Sequence, residues 1–254
     1  SSNDAWDPLP DQTVTATTND DDPPGFTLSK STATLSEPNT TETFTVVLTR
    51  QPLTDVVFSV TSGDTTEVTA APATLTFTSA NWNTAQTVTL TAADDPAVDG
   101  PQTSTVTVAV VDASSHDAWD PLPDQTVTVT TNDDDPPGFT LSKTTAAVSE
   151  SGSQDTCTVM LTAEPESDVV LSVTSGDTGE AAVSPASVTF TPANWNTARM
   201  VTVSGVDDWL LDGNQITLVT VSVVDAASDD PFDNAADQVV FVTTADNDTA
   251  GITL

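Results

Sequence analysis

"TFTVVLTR" at residues 43–50 puts Phe44, Val46 and Leu48 on one side of an extended chain and threonines mostly on the other. Successive side chains of a strand point to opposite faces, so this alternation predicts a half-buried β-strand. Working outward, the same period recurs in "DVVFSVTS" (55–62), "ATLTFT" (73–78), "QTVTLTA" (86–92), "STVTVAVV" (104–111) and "QTVTVTT" (125–131). "FTLS" (26–29) and "ATLSE" (33–37) read as one broken first strand. β-Branched residues fill these runs, and Gly, Pro, Asn and Asp fill the gaps between them. No helical period of useful length is present; "TSANWN" (78–83) has room for one short turn.

The pattern then repeats. "SSNDAWDPLPDQTVTATTNDDDPPGFTLSK" begins at Ser1 and "SSHDAWDPLPDQTVTVTTNDDDPPGFTLSK" at Ser114, an offset of 113 residues. The same offset links Glu37 to Glu150, Trp82 to Trp195, Asp94 to Asp207 and Trp119 to Phe232, without a gap. The chain divides into the end of one unit (1–22), a full unit (23–135), a second full unit (136–248) and the start of another (249–254). A period this long marks domains in a string, not solenoid coils. About seven short strands in roughly 110 residues predict an all-β fold of tandem antiparallel, immunoglobulin-like β-sandwiches joined end to end. Because residue 1 falls inside the pattern, the sequence reads as a piece of a longer protein.

Composition narrows the partners. The 254 residues carry 38 Asp+Glu against 4 Lys+Arg, a formal charge of −34. Nucleic acid and anionic membrane would repel such a surface, and cations are its natural partners. Hydrophobic residues make up 37%, enough for a packed core and too many for an acidic disordered tail. No stretch approaches the ~20 apolar residues of a membrane span. Cys157 is the single cysteine, so no intrachain disulfide can form. It takes the place of Phe44 in the alternation and is expected to be a buried small hydrophobe.

The acids gather at strand ends. Glu37 closes the broken first strand, Asp64 and Glu67 follow the third, Asp94, Asp95 and Asp99 follow "QTVTLTA", and Asp133, Asp134 and Asp135 follow the last. The second unit repeats this with Glu150, Asp177, Glu180, Asp207, Asp208, Asp212, Asp246 and Asp248, and Asp20, Asp21 and Asp22 close the first partial unit. In an antiparallel sandwich these strand ends lie at one pole, so four acidic segments should converge there. Carboxylates that close repel one another unless a counter-charge is bound. Many oxygens on flexible loops suit Ca²⁺, which takes 6–8 of them; Mg²⁺ keeps its waters. Zn²⁺ has no nitrogen–sulfur ligand set, since His116 is the only histidine and the cysteine lies in a strand. "TNDDDPPGFTLSK" at 18–30 and 131–143 would put such a cation in the joint between units.

These residues resemble the Calx-β domain, named from sodium–calcium exchangers and found in tandem in large bacterial surface proteins. The likeness is carried by "LSE" (35–37), "SGDTTE" (62–67), "TLTAADDPAVDG" (89–100), "VTVTTNDDD" (127–135), "LTFTSANWNTAQTVTL" (75–90) and "VTFTPANWNTARMVTV" (188–203). It implies an immunoglobulin-like sandwich and, in calcium-binding members, ligands at the positions of Glu37, Asp64, Asp94, Asp95, Asp133, Asp134 and Asp135. Asp99 and Asp212 stand near the place of a final glutamate in the exchanger pattern. Asn247 replaces an aspartate, which is expected to weaken or remove one site of the second unit.

Other readings are open at this stage. Solvated turns would also be rich in Asp, and a halophilic surface would spread acids over every face. "SHD" (115–117) suggests a catalytic triad only superficially, because Asn3 and Asp229 replace His116 in the other units. Asp94 and Asp95, as neighbours on an extended chain, point apart and make a poor glycosidase pair. Trp119 in "DAWDPLPDQ" (117–125) could be an exposed ring for glycan or protein, or an anchor for its loop. The expectation is a non-enzymatic, calcium-rigidified spacer of a secreted or cell-surface protein, adhesin or fibre. Its partners would be calcium ions, neighbouring repeats of the same chain and, in a fibre, copies of itself. The alternative is a binding module using Trp119.

Overall fold

A computed structural model describes residues 12–17 and 22–251. Each full unit is a two-layer β-sandwich. The first contains β1 (Phe26–Leu28), β2 (Thr32–Ser36), β3 (Thr41–Leu48), β4 (Val56–Ser62), β5 (Val68–Ala71), β6 (Thr74–Phe77), β7 (Gln86–Ala92), β8 (Gln102–Val110) and β9 (Gln125–Asn132). The second repeats them as β10 (Phe139–Leu141), β11 (Thr145–Ser149), β12 (Gln154–Leu161), β13 (Val169–Ser175), β14 (Ala181–Ser184), β15 (Ser187–Phe190), β16 (Arg199–Gly205), β17 (Gln215–Val223) and β18 (Gln238–Ala245). One sheet of each unit has four strands, ordered β1-β3-β7-β5, and the other five, ordered β2-β9-β8-β4-β6.

The all-β sandwich expected from the alternation is present, with nine strands per unit where about seven were expected. Two local events account for the difference. The broken first strand divides between the sheets, because Ser29–Ser31 carry the chain across: β1 pairs with β3, and β2 with β9. "VTAA" (68–71), which falls between the expected strands at 55–62 and 73–78, pairs with β7 as β5. Pro72 then ends it, as a residue without an amide hydrogen must. The β2–β9 ladder is parallel, Thr32 opposite Thr128 through Ser36 opposite Asn132, in an otherwise antiparallel sandwich. The second unit keeps the same register between β11 and β18.

Alternation becomes burial directly. Phe44, Val46 and Leu48 of β3, Val56, Phe58 and Val60 of β4, and Val88 and Leu90 of β7 all lie in the first core. Burying each such side chain fully contributes about 1.5–3 kcal/mol. Cys157 occupies the Phe44 position, is buried, and sits opposite Val201. Trp119 is 2% exposed and belongs to the first core, and Phe232 fills its place in the second. The ring therefore anchors the β8–β9 loop, which removes the basis for the Trp119 binding module. Trp82 and Trp195 are half-buried and pack on the core edges.

Each sandwich has two poles. The tip holds the loops after β2, β4, β7 and β9; the base holds the β3–β4, β6–β7 and β8–β9 loops. The tip of unit one meets the base of unit two. Ala97, in the β7–β8 loop, forms a parallel bridge with Glu164, in the β12–β13 loop. The Val98 amide donates to the Glu164 carbonyl at 2.8 Å, and the Glu164 amide donates to the Pro96 carbonyl at 2.7 Å. The Val98 side chain, 5% exposed, is counted in the core of unit two. The sequence placed a cation in this joint; the bridge and the buried valine hold the two units together in addition.

Candidate metal centres at the sandwich tips

In unit one the four tip loops bring together Glu37, Glu67, Asp95, Asp99 and Asp133–Asp135. Glu37, Asp134 and Asp135 each offer a carboxylate oxygen, all within 4.8 Å of one another. Backbone amides aim several of these groups. Asp133 accepts from the amides of Asp135 (2.8 Å) and Gly100 (3.0 Å), and Asp95 from that of Ala97 (2.9 Å). Gly100 has φ +68°, a conformation open to glycine at little cost, and this turns its amide toward Asp133. Gly213, with φ +76°, repeats the contact to Asp246 at 2.8 Å.

Electrostatics follow from this crowding. Glu37 is buried, and its carboxyl is pushed up to about 7, first by desolvation and then by the charges of Asp95, Glu67, Asp133 and Asp134. Glu67 is raised by burial and then by Asp99, Asp95, Asp64 and Asp133. Burial comes first again in raising Asp99, partly offset by Gln102 and reinforced by Asp95 and Asp133, and in raising Asp135, reinforced by Asp133 and Asp134. No basic side chain relieves the cluster among the described residues: Lys30 and Lys143 are engaged by Glu42 and Asp155 on the strands, Arg50 donates to the Asp22 carbonyl at the base, and Arg199 starts β16.

Unit two forms two overlapping groups at its own tip: Glu150 with Asp246 and Asp248, and Glu150 with Glu180 and Asp212, each within 4.8 Å. Glu180 Oε2 and Asp248 Oδ2 are buried and have no hydrogen-bond partner among the described residues. Burial raises both carboxyls, helped by Asp212 and Asp208 for Glu180 and by Asp246 and Asp207 for Asp248. Asn247 supplies no carboxylate here. Its side-chain amide donates to Asp207 at 3.2 Å and its backbone amide to Glu150 at 3.0 Å.

Other expected ligands stand apart from these groups. Asp64 is exposed and held by the amide and hydroxyl of Thr66, which lower its carboxyl. Asp177 is exposed and accepts from the Gly179 amide. Asp94 and Asp207 are exposed on the rim. Asp22 lies exposed at the base of unit one, while Asp20 and Asp21 lie outside the described residues. Glu67 and Glu180 were noted among the acids but not carried over as ligands. Both are buried at the centre, and the signal was their place one residue before β5 and β14. Asp229, which replaces His116, is buried and accepts from the Glu166 amide and the Ser167 hydroxyl, so that position ties loops together in unit two.

Comparison with solved structures adds context. This chain is similar to the calcium binding domain CBD12 of CALX1.1, at 14% identity over 78% of this chain and 79% of that one, with a TM-score of 0.32. CBD12 from CALX1.2 gives 12% over the same shares, also at 0.32. Domains 1–6 of the surface layer protein SbsC align at 17% identity and a TM-score of 0.36, over 82% of this chain and 24% of that one. No family model and no curated protein matches the sequence. The sandwich architecture rests on the strand pairing described above.

Proposed function

We propose that this chain is a calcium-binding structural spacer, a non-enzymatic segment of an extracellular or cell-surface protein whose joints are stiffened by the cation. One observation carries the reading: Glu37, Asp134 and Asp135 converge within 4.8 Å at the pole where unit one joins unit two. Asp134 and Asp135 belong to the linker itself, and Glu37 belongs to the sandwich. A cation held by all three ties the linker to the body it leaves. The buried, unpartnered oxygens of Glu180 and Asp248 support the same chemistry in unit two. Oxygen ligands on several loops favour Ca²⁺ over Mg²⁺, and partly exposed rims suit the weak, 10⁻⁴–10⁻³ M affinities of extracellular modules. No helix among the described residues is long and apolar enough to cross a membrane.

Thermal melting in calcium, magnesium, potassium chloride and chelator tests this. Calcium should raise the melting temperature well beyond the other salts; saturation at a hundredfold excess over Kd corresponds to about 2.7 kcal/mol. Equal melting in calcium and chelator would refute the proposal. An equal rise in potassium chloride would assign the acids to a halophilic surface instead.

A further inference from the structure

Along the side of the string, unit two carries apolar residues where unit one carries threonines. On β17 and β18, Ile216, Leu218, Val239 and Phe241 stand at the 113-residue offset from Thr103, Thr105, Thr126 and Thr128. Leu218 lies opposite Phe241 in the ladder, Ile216 is the next outward residue of β17, and Val239 the next of β18. Ile216 is 70% exposed, Leu218 44% and Phe241 49%. The inward residues of the same strands are unchanged: Val219, Val221, Val240 and Val242 repeat Val106, Val108, Val127 and Val129. The core is thus the same in both units, and only the outer face of the sheet has become apolar. A contiguous exposed patch of this kind marks a contact surface.

The joint inside the chain shows what a following repeat covers. Unit two buries Val98 of unit one but leaves Thr103, Thr105 and Thr128 exposed. A repeat docked in the same way beyond unit two therefore leaves Ile216, Leu218 and Phe241 bare. Charge selects the partner that covers them. The chain has a formal charge of −34, yet no outward residue of β11, β13, β15, β17 or β18 is charged. A basic partner would be drawn to the acidic tips, and an acidic one would be repelled by the chain as a whole. Two copies of this chain repel wherever their carboxylates meet, and on this face they can approach with none opposed. The shape suits the same occupant, since two sheets pack face to face with their apposed side chains interdigitated.

We propose that the outer face of the five-stranded sheet of unit two pairs with the same face of a second copy of this chain. The contact is isologous: Ile216, Leu218, Val239 and Phe241 of each copy cover those of the other across a two-fold axis, so association of this chain ends at the dimer. Four strands about 4.8 Å apart, over five residues of about 3.4 Å each, give a footprint of about 300 Å² per copy. That is well below the ~800 Å² per partner of a standard interface, so the dimer is weak and depends on concentration. The contact goes beyond the spacer reading, because it joins strings side by side and does not use the cation.

Sedimentation equilibrium of the 254-residue chain tests this. The concentrations run from about 10 µM to about 1 mM, the range of a small interface. Chelator is present throughout, which keeps the outcome separate from calcium binding. A monomer–dimer equilibrium should appear. It should tighten at least about threefold between about 0.05 M and about 1 M sodium chloride, because screening removes the repulsion between two acidic chains and spares an apolar contact. Leu218→Thr with Phe241→Thr installs the residues that unit one carries in the same fold, so the sandwich is kept; pairing should weaken at least about tenfold. Met200→Thr, at the Thr87 position on the exposed face of the opposite sheet, should leave pairing unchanged. A chain that is monomeric throughout, pairing that weakens in high salt, or growth beyond the dimer would each overturn the proposal. So would a Leu218→Thr, Phe241→Thr variant that pairs like the parent, or loss of pairing through Met200→Thr.

Discussion

The amide of Val98 donates to the carbonyl of Glu164 across 2.8 Å, joining a loop of one sandwich to a loop of the next. The valine side chain goes further and lies within the second core. The joint is thus made of packing and backbone pairing as well as linker and charge. Val98→Asp places a charge in that apolar contact and should open the joint while both sandwiches stay folded. Small-angle scattering should show a wider spread of inter-unit angles, and near-native melting of each unit would separate this from unfolding. Chelator alone should loosen the joint less than chelator combined with Val98→Asp. Equal flexibility in the two cases would mean the valine contributes nothing.

The buried acids predict opposite responses with and without calcium. Glu180→Gln removes one buried charge and its repulsion from Asp212, Asp208 and Glu150. In chelator the variant should match or exceed the parent in stability. In calcium it should lose most of the shift assigned to unit two, leaving that of unit one. Calorimetry on parent and variant reads both. A variant with the full calcium shift would show that Glu180 is no ligand.

Proton linkage gives a third expectation. The folded-state value of Glu37, about 7, lies above its ordinary 4.5. A raised acid favours the folded state when protonated, so this contribution is fully present below about 4.5 and is lost as pH rises through about 7. Glu67, Asp99 and Asp135 are shifted in the same direction. In chelator the melting temperature should fall between pH 5 and pH 8, and Glu37→Gln should flatten that slope. In calcium the slope should reverse, because the cation binds carboxylates and competes with protons. A chelated protein that grows more stable with rising pH across this window would contradict the raised value.

Backbone packing at one glycine supplies a fourth. A Cβ on Gly205 would lie 2.0 Å from the carbonyl oxygen of Ser149, a contact only movement of the main chain can relieve. Gly205→Ala should destabilise unit two by about 1–3 kcal/mol, as overpacking typically does. Unit one carries Ala92 at the same position beside a different β2–β3 loop, so the clash belongs to the "SESGSQ" loop (149–154) and not to the repeat in general. Denaturant titration of the variant, with the Cys157 thiol reporting on unit two, measures the effect. In the native state that thiol should stay unlabelled, since burial both shields it and raises its value.

How far residues alone carried the reading depends on how local the cause was. Phe44 and Cys157 could be placed because strand period is a property of eight consecutive residues. The passage of residues 29–31 between sheets depends on what lies across the sandwich, and "VTAA" followed by proline looks like loop until β7 lies beside it. The tip acids could be grouped because alternating strand direction brings their loops to one end. Which acids sit at the centre was hidden, since burial of Glu67 and Glu180 depends on three other loops closing over them. Val98 could not be recognised from "DPAVDG" alone. Its counterpart Leu211, in an apolar triplet among aspartates, was the available signal.

The parallel pairing of β2 with β9 has a mechanical consequence. The chain enters each sandwich at its base and leaves at its tip, and β2, which follows the three-residue β1, lies beside the last strand over five residue pairs, Thr32–Ser36 against Thr128–Asn132. Tension applied along the string draws β2 toward the base and β9 toward the tip, so the two slide along their common axis. The hydrogen bonds between them are then loaded together in shear, not opened one after another like a zipper. A unit wired in this way resists stretching through the ladder between its second strand and its last, and the second unit has the same wiring, with β11 beside β18 in the same register.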